Sequence, residues 1–275
     1  MAYSFINNLL AVTVNINSIR VLDSLVCYRK RPVSPMKTVT SKEQSNAEWY
    51  DQNYYRGVQW LLAPWHHALL GDLVSEGGLS KKLVELGCGQ AQVPFMMVRE
   101  GKLAAENVYG TDQSPEAIKL ASQYIPGANF SVQDLHALNY PGNFFDLCIM
   151  LETIEHLEQP EVVLQKAFTA IKPGGFFYVS FPNYLHLPWL AVRLLSQLFN
   201  KPNWILLQPV DKIYTIFSIK KLARQAGFQF VNGFGSNYGP PLLYQYEQPW
   251  MTKLFNGAGM YWWSFHPVLK FVKPA

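Results

Sequence analysis

Five short apolar segments alternate with helix-length segments between residues 82 and 181, and few architectures accept that order. "KLVEL" (82–86), "NVYGTD" (107–112), "NFSVQD" (129–134), "FDLCIML" (145–151) and "FFYVSF" (176–181) each read as a strand. "GCGQAQ" leads from the first of them into a helix reaching about Glu100. "SPEAIKLASQY" predicts a second helix, with Ser114 as N-cap and Pro115 at the first helical position, where its missing N–H costs nothing. "PEVVLQKAFTAI" predicts a third, closed by a "KPGG" turn at 172–175. Strands separated by helices need crossover connections, so the sheet is mainly parallel and covered by helices on both faces. Right-handed crossovers then leave a doubly wound α/β sandwich as the first topology to expect.

The periodicity lapses after "FPN". Residues 184–208 are apolar and aromatic, interrupted by Pro188 and Pro202, and predict an apolar lid within an insertion at 184–217, ahead of the last helix, "SIKKLARQAGF". The expected organisation is an N-terminal extension at 1–45, a main domain at 46–238 and an aromatic C-terminal extension at 239–275 carrying Trp250, Trp262 and Trp263. Residues 1–35 hold four basic residues against one acid. They read as an over-called translation start ahead of Met36, with a transit segment as the alternative.

Composition narrows the function. Charged residues are 15% of the chain and the net charge is +4 with no dense basic run, so no nucleic acid is expected as partner. Cys27, Cys88 and Cys148 form no CxxC pair, which disfavours a disulfide framework or cysteine zinc site and suits a reducing, cytoplasmic compartment.

In an open α/β sheet, ligands bind at the carboxyl ends of the strands. Those ends carry Glu85, Gly87 and Gly89, then Asp112, then Asp134. The glycines permit a tight turn and close backbone approach to a ligand, and Asp112 stands where an acid takes both hydroxyls of a ribose. A nicotinamide fingerprint wants Gly where this chain has Gln92, and Glu85 repels a pyrophosphate. Acids at three strand ends suit a nucleoside carrying a cationic amino acid, which is S-adenosylmethionine.

"VELGCGQAQ", "GTDQSPEAIKLA", "VQDLHAL", "FDLCIMLETIEHL" and "IKPGGFFYVSFPN" resemble, in order, the motifs of class I S-adenosylmethionine-dependent methyltransferases. The resemblance covers roughly residues 83–183 and implies a Rossmann-like domain. It implies that Glu85 and the glycine loop lie near the methionine moiety, Asp112 on the ribose, and Asp134 with Leu135 beside the adenine, with Gln113 a further candidate cofactor contact. Leu151 completes the candidate cofactor contacts. Ala91 stands where the family usually has a third glycine.

"LETIEHLEQP" (151–160) follows the fourth strand and brings Glu152, Glu155 and His156 to the rim of that site. "ETIEHL" resembles the matching segment of ubiquinone-biosynthesis O-methyltransferases and of small-RNA 2′-O-methyltransferases. In those families the acids and the histidine hold a divalent cation that engages acceptor hydroxyls. A further histidine that they use falls at Asp211 here, so Glu152, Glu155, His156 and Asp211 are a candidate Mg²⁺ set. Two other readings stay open: His156 as general base beside Glu152, or Glu155 and His156 as caps of the following helix. His186, in the lid, is another candidate base, while His66 and His67 belong to an N-terminal helix. "WYDQNYY" (49–55) resembles a helix closing over the cofactor, with Tyr50, Tyr54 and Tyr55 as candidates.

The expected activity is methyl transfer to a hydroxyl oxygen of a small or lipid-like acceptor, such as a quinol, phenol, polyketide or sugar. The alternatives are carbon or nitrogen methylation, a nicotinamide oxidoreductase, or an inactive cofactor-binding partner subunit. The lid, with Arg193 and Lys201, also suits peripheral contact with a membrane surface.

Overall fold

Leu83–Leu86 (β1) is buried along its whole length, as a strand at the centre of a two-sided sheet must be. It pairs in parallel with Val108–Asp112 (β2) on one side and Phe145–Met150 (β4) on the other. Asn129–Val132 (β3) adds to β2, and Ile171–Ser180 (β5) to β4, all parallel. The structure, a computed structural model, describes residues 48, 51, 64–199, 210–240 and 249–275. The expectations for residues 1–35, for Tyr50, Tyr54 and Tyr55, and for the latter part of the lid lie outside the described residues.

The helices are Pro64–Glu76 (α1), Gln92–Arg99 (α2), Pro115–Tyr124 (α3), Pro160–Ala170 (α4), Leu187–Leu198 (α5), Ile216–Gln225 (α6) and Pro249–Gly257 (α7). Strand residues alternate between two cores, as the two-residue repeat requires. Leu83, Leu147, Ile149 and Tyr178 pack with α1, α2 and α3 through Leu69, Leu73, Met97 and Ile118. Val84, Leu86, Cys148, Met150 and Phe177 pack with α4 and α6 through Val163, Leu164, Ile216 and Ile219. Ser114 caps α3 as expected, its hydroxyl accepting from the Ala117 N–H at 3.0 Å.

Two expectations are corrected. "KPGG" is not a turn ahead of the fifth strand: β5 already begins at Ile171, with Gly174 at φ +76° and a register shift against Phe145 and Leu147. The segment beyond residue 238 is not an appendage. It supplies His266–Val272 (β7), which runs antiparallel between β5 and Gln229–Ser236 (β6), giving the order β3-β2-β1-β4-β5-β7-β6.

Lys270, in the middle of β7, is 4% exposed and explains why this strand was not legible. Its ammonium donates to Asp72 Oδ2 at 2.8 Å and Glu76 Oε1 at 2.7 Å, and the Tyr178 hydroxyl donates to the same Asp72 oxygen at 2.6 Å. These bonds pin α1 across β5 and β7. Lys270→Ala is expected to destabilise the protein by roughly 1.5–3 kcal/mol, the range for hydrogen bonds to charged groups; a urea unfolding curve checks this.

Candidate active site

The order of the sheet reverses between β1, which is followed on one side by β2, and β4 on its other side. That switch point opens a crevice at the carboxyl ends of the parallel strands. Glu85, Gly87, Asp112 and Glu152 all gather there.

Glu85 is 4% exposed, and its Oε2 has no hydrogen-bond partner. Burial, then the nearby charge of Asp112, pushes its carboxyl well above the usual range. A buried carboxylate oxygen without a donor is costly and suits a cationic ligand that brings its own N–H groups. Gly87 sits at φ +71°, and a Cβ there would lie 2.5 Å from the Thr153 side chain. Gly89 and Ala91 are also left-handed, at φ +49° and +53°. The residues present therefore fit an ammonium-bearing ligand over a tight loop.

Asp112 ties this loop to the β2–α3 turn. Its Oδ2 accepts from the Gly89 N–H and its Oδ1 from the Ser114 N–H, both at 2.9 Å. Burial raises its pKa against the lowering effect of those two bonds. Gln113 beside it is exposed. Asp51, which no sequence motif singles out, accepts a hydrogen bond from the Ser114 hydroxyl. Asp134 lies farther out. Its Oδ1 accepts from the backbone N–H of His136 and lies 2.9 Å from that ring, which together outweigh partial burial and lower its pKa. Leu135 is buried and Leu151 half-buried.

"LETIEHLEQP" forms one 3₁₀ turn, Ile154–His156, rather than an α-helix face. Glu155 is 2% exposed and its Oε2 has no hydrogen-bond partner, so the reading of this residue as a solvated cap fails. Burial, then the charges of Glu152 and Asp211, holds its carboxyl well above the usual range. The His156 Nδ1–H donates to the Val210 carbonyl at 2.6 Å, and Nε2 lies 3.6 Å from Glu155 Oε1. Burial lowers the His156 pKa. His186, the other candidate base, is fully buried, with Nε2 3.3 Å from the Tyr238 carbonyl.

The proposed Mg²⁺ set does not assemble. Asp211 is held by Arg193, whose guanidinium donates to Asp211 Oδ2 and to the Asp211 carbonyl, each at 2.9 Å, and to the Tyr184 hydroxyl at 2.6 Å. Glu152 turns instead toward Ser180. Among the described residues, no three His, Cys, Asp or Glu side chains are placed to hold a metal ion.

Glu152 occupies the left-handed region, at φ +48°. Its N–H lies 3.0 Å from Ser180 Oγ and 3.2 Å from the Ser180 carbonyl, and that hydroxyl donates to Glu152 Oε1 at 2.8 Å. Its Oε2 lies 3.6 Å from His266 Nε2. Burial, partly offset by Ser180, raises its pKa from 4.5 to about 7. The unfolded chain therefore ionises first, and native stability is expected to fall as pH rises from 4.5 to about 7. Urea midpoints at about pH 5 and about pH 8 check this, and Glu152→Gln should flatten the slope.

A family profile described as "Methyltransferase domain" matches residues 84–179, the span from β1 to β5 that builds this crevice. The chain carries a class I S-adenosylmethionine-dependent methyltransferase domain. The methyltransferase is 29% identical over 183 residues to a "Ubiquinone biosynthesis O-methyltransferase" of Cupriavidus pinatubonensis, covering 62% of this chain and 70% of that one. It is 26% identical over 203 residues to a "Biotin biosynthesis bifunctional protein" of Teredinibacter turnerae, covering 68% of this chain and 33% of that one. Among solved structures, a magnesium protoporphyrin IX methyltransferase from Synechocystis with bound SAH aligns with a TM-score of 0.57 at 16% identity, covering 83% of this chain and 95% of that one. That likeness carries the fold.

Proposed function

We propose that this methyltransferase acts on a hydroxyl oxygen of a small, phenol- or quinol-like acceptor. The observation that carries the reading is the Glu152 carboxylate: a strained, half-buried base at the end of β4, with its pKa raised to about 7. A hydroxyl acceptor must lose a proton as it reacts, and a base poised near neutrality suits that task. Bound S-adenosylmethionine supplies a methyl group on a positively charged sulfur, already activated for displacement. Glu85 is the candidate partner of the ammonium, Asp112 with Gln113 of the ribose, and Asp134, Leu135 and Leu151 of the adenine side.

Glu152, once ionised, disfavours a carboxylate acceptor at this rim, which would meet like charge. The relatives named for ubiquinone biosynthesis are O-methyltransferases, which supports an oxygen acceptor. The outward leucines of α5, Leu187 and Leu198 at 59% and 76% exposure, support a lipid-like acceptor met at a membrane surface. Among the described residues no helix is long and apolar enough to cross a membrane.

The test is to incubate the full chain with methyl-labelled cofactor and a panel of catechols, prenylated quinols, amines and carboxylic acids. Label is expected on phenolic oxygen. Label confined to nitrogen, carbon or a carboxylate overturns the reading.

A further inference from the structure

His266 opens β7, and the antiparallel course of that strand decides where it lies. The carboxyl ends of β1, β4 and β5 form the ligand edge, so the first residue of an antiparallel neighbour arrives at that same edge. Ser180 pairs with Val268 and Ser236 with His266, which sets the imidazole beside the end of β5. Its Nε2 faces Glu152 Oε2 at 3.6 Å, and its Nδ1 lies 3.1 Å from Asn237 Oδ1. With Nδ1–H donating to Asn237, Nε2 turns its lone pair toward Glu152.

Two further observations mark the pair as more than packing. Glu152 keeps a left-handed backbone that a β-carbon disfavours, clamped from both its N–H and its carboxylate by Ser180. Strain held in this way is characteristic of side chains in use. The side chains of Glu152 and His266 are 30% and 25% exposed, so an acceptor can reach them. Among the described residues, the titratable groups facing the pair include Glu155 toward Glu152, and His66 of α1 and His186 toward His266.

Resting on the oxygen-transfer reading above, we propose that Glu152 is the catalytic base and His266 the positioning residue that accepts its hydrogen bond once it is protonated and so holds the protonated carboxyl in place. In that step the acceptor O–H bond breaks and its proton goes to Glu152 Oε2. The oxygen bonds to the methyl carbon while the carbon–sulfur bond pair stays on sulfur. At 3.6 Å the contact is too long for a hydrogen bond, and it shortens as the proton arrives. Burial and the neighbouring His66 and His186 push His266 down to about 3, so the ring stays neutral while Glu152 titrates.

Histidine ¹⁵N NMR of the full chain, with neither cofactor nor acceptor, tests the pair without turnover. His266 Nε2 is expected as an unprotonated nitrogen whose shift steps as Glu152 titrates, and the step vanishes in Glu152→Gln. In turnover with a phenolic acceptor, His266→Asn is expected to lower kcat roughly 10- to 100-fold, as for a misplaced catalytic group. Adding it to Glu152→Gln should cost nothing further. The acid limb of the His266→Asn rate profile should lie at lower pH than in the parent, because the shorter side chain does not carry an acceptor as far as the Nε2 position. His266→Gln, whose amide oxygen also accepts, should recover part of the loss. Additive losses, an unmoved acid limb or a silent ring overturn the pairing while leaving oxygen methylation intact. Label on nitrogen or carbon overturns the oxygen reading and this proton transfer together.

Discussion

Glu152→Gln should cut kcat by about 10²- to 10⁴-fold, the range for loss of a general base. The amide keeps the shape of the carboxylate and its bond from Ser180, so the left-handed backbone and the cofactor crevice have no reason to move. It has no useful proton affinity, and that is the property under test. Cofactor affinity by calorimetry should therefore stay near the parent value while turnover collapses. Unchanged turnover would remove Glu152 from the chemistry.

Asp112→Ala should act on the other half of the reaction. The carboxylate accepts two backbone N–H groups, one from Gly89 and one from Ser114, so its loss releases the glycine loop from the β2–α3 turn. Each lost bond to a charged acceptor costs about 1.5–3 kcal/mol. If one such contribution is also lost from ribose contact, S-adenosylmethionine affinity should fall by roughly 10- to 100-fold. Part of that fall reflects loop disorder, so Asp112→Asn is the useful companion: its amide oxygen can keep one of the two loop bonds. Undiminished affinity in both variants would show that the nucleoside does not use this edge.

The parallel half of the sheet was legible because each strand is a short apolar run bounded by a turn or a helix. Acids at strand ends were legible because strand ends are where such a sheet places ligands. What escaped had physical causes. The β7 segment carries Lys270 at its centre, and only the fold reveals that Asp72 and Glu76 neutralise it. His266 enters the site through an antiparallel strand far along the chain, with no local spacing to tie it to Glu152. Asp211 stood at a reasonable register for a metal ligand, but its partner Arg193 sits on α5 and was read only as a lid residue. The burial of Glu155 was equally hidden, since a buried and a solvated "EH" are spelled alike.

The position of β7 also decides when the sheet can close, since it is the last strand in the chain. β5 and β6 are not neighbours; each is stitched to the strand made after both of them. Without β7, β5 and β6 would each present an unpaired edge to an empty slot, and such edges invite pairing with other chains. Loss of the last segment would thus open two edges at once, in the middle of the sheet rather than at its rim.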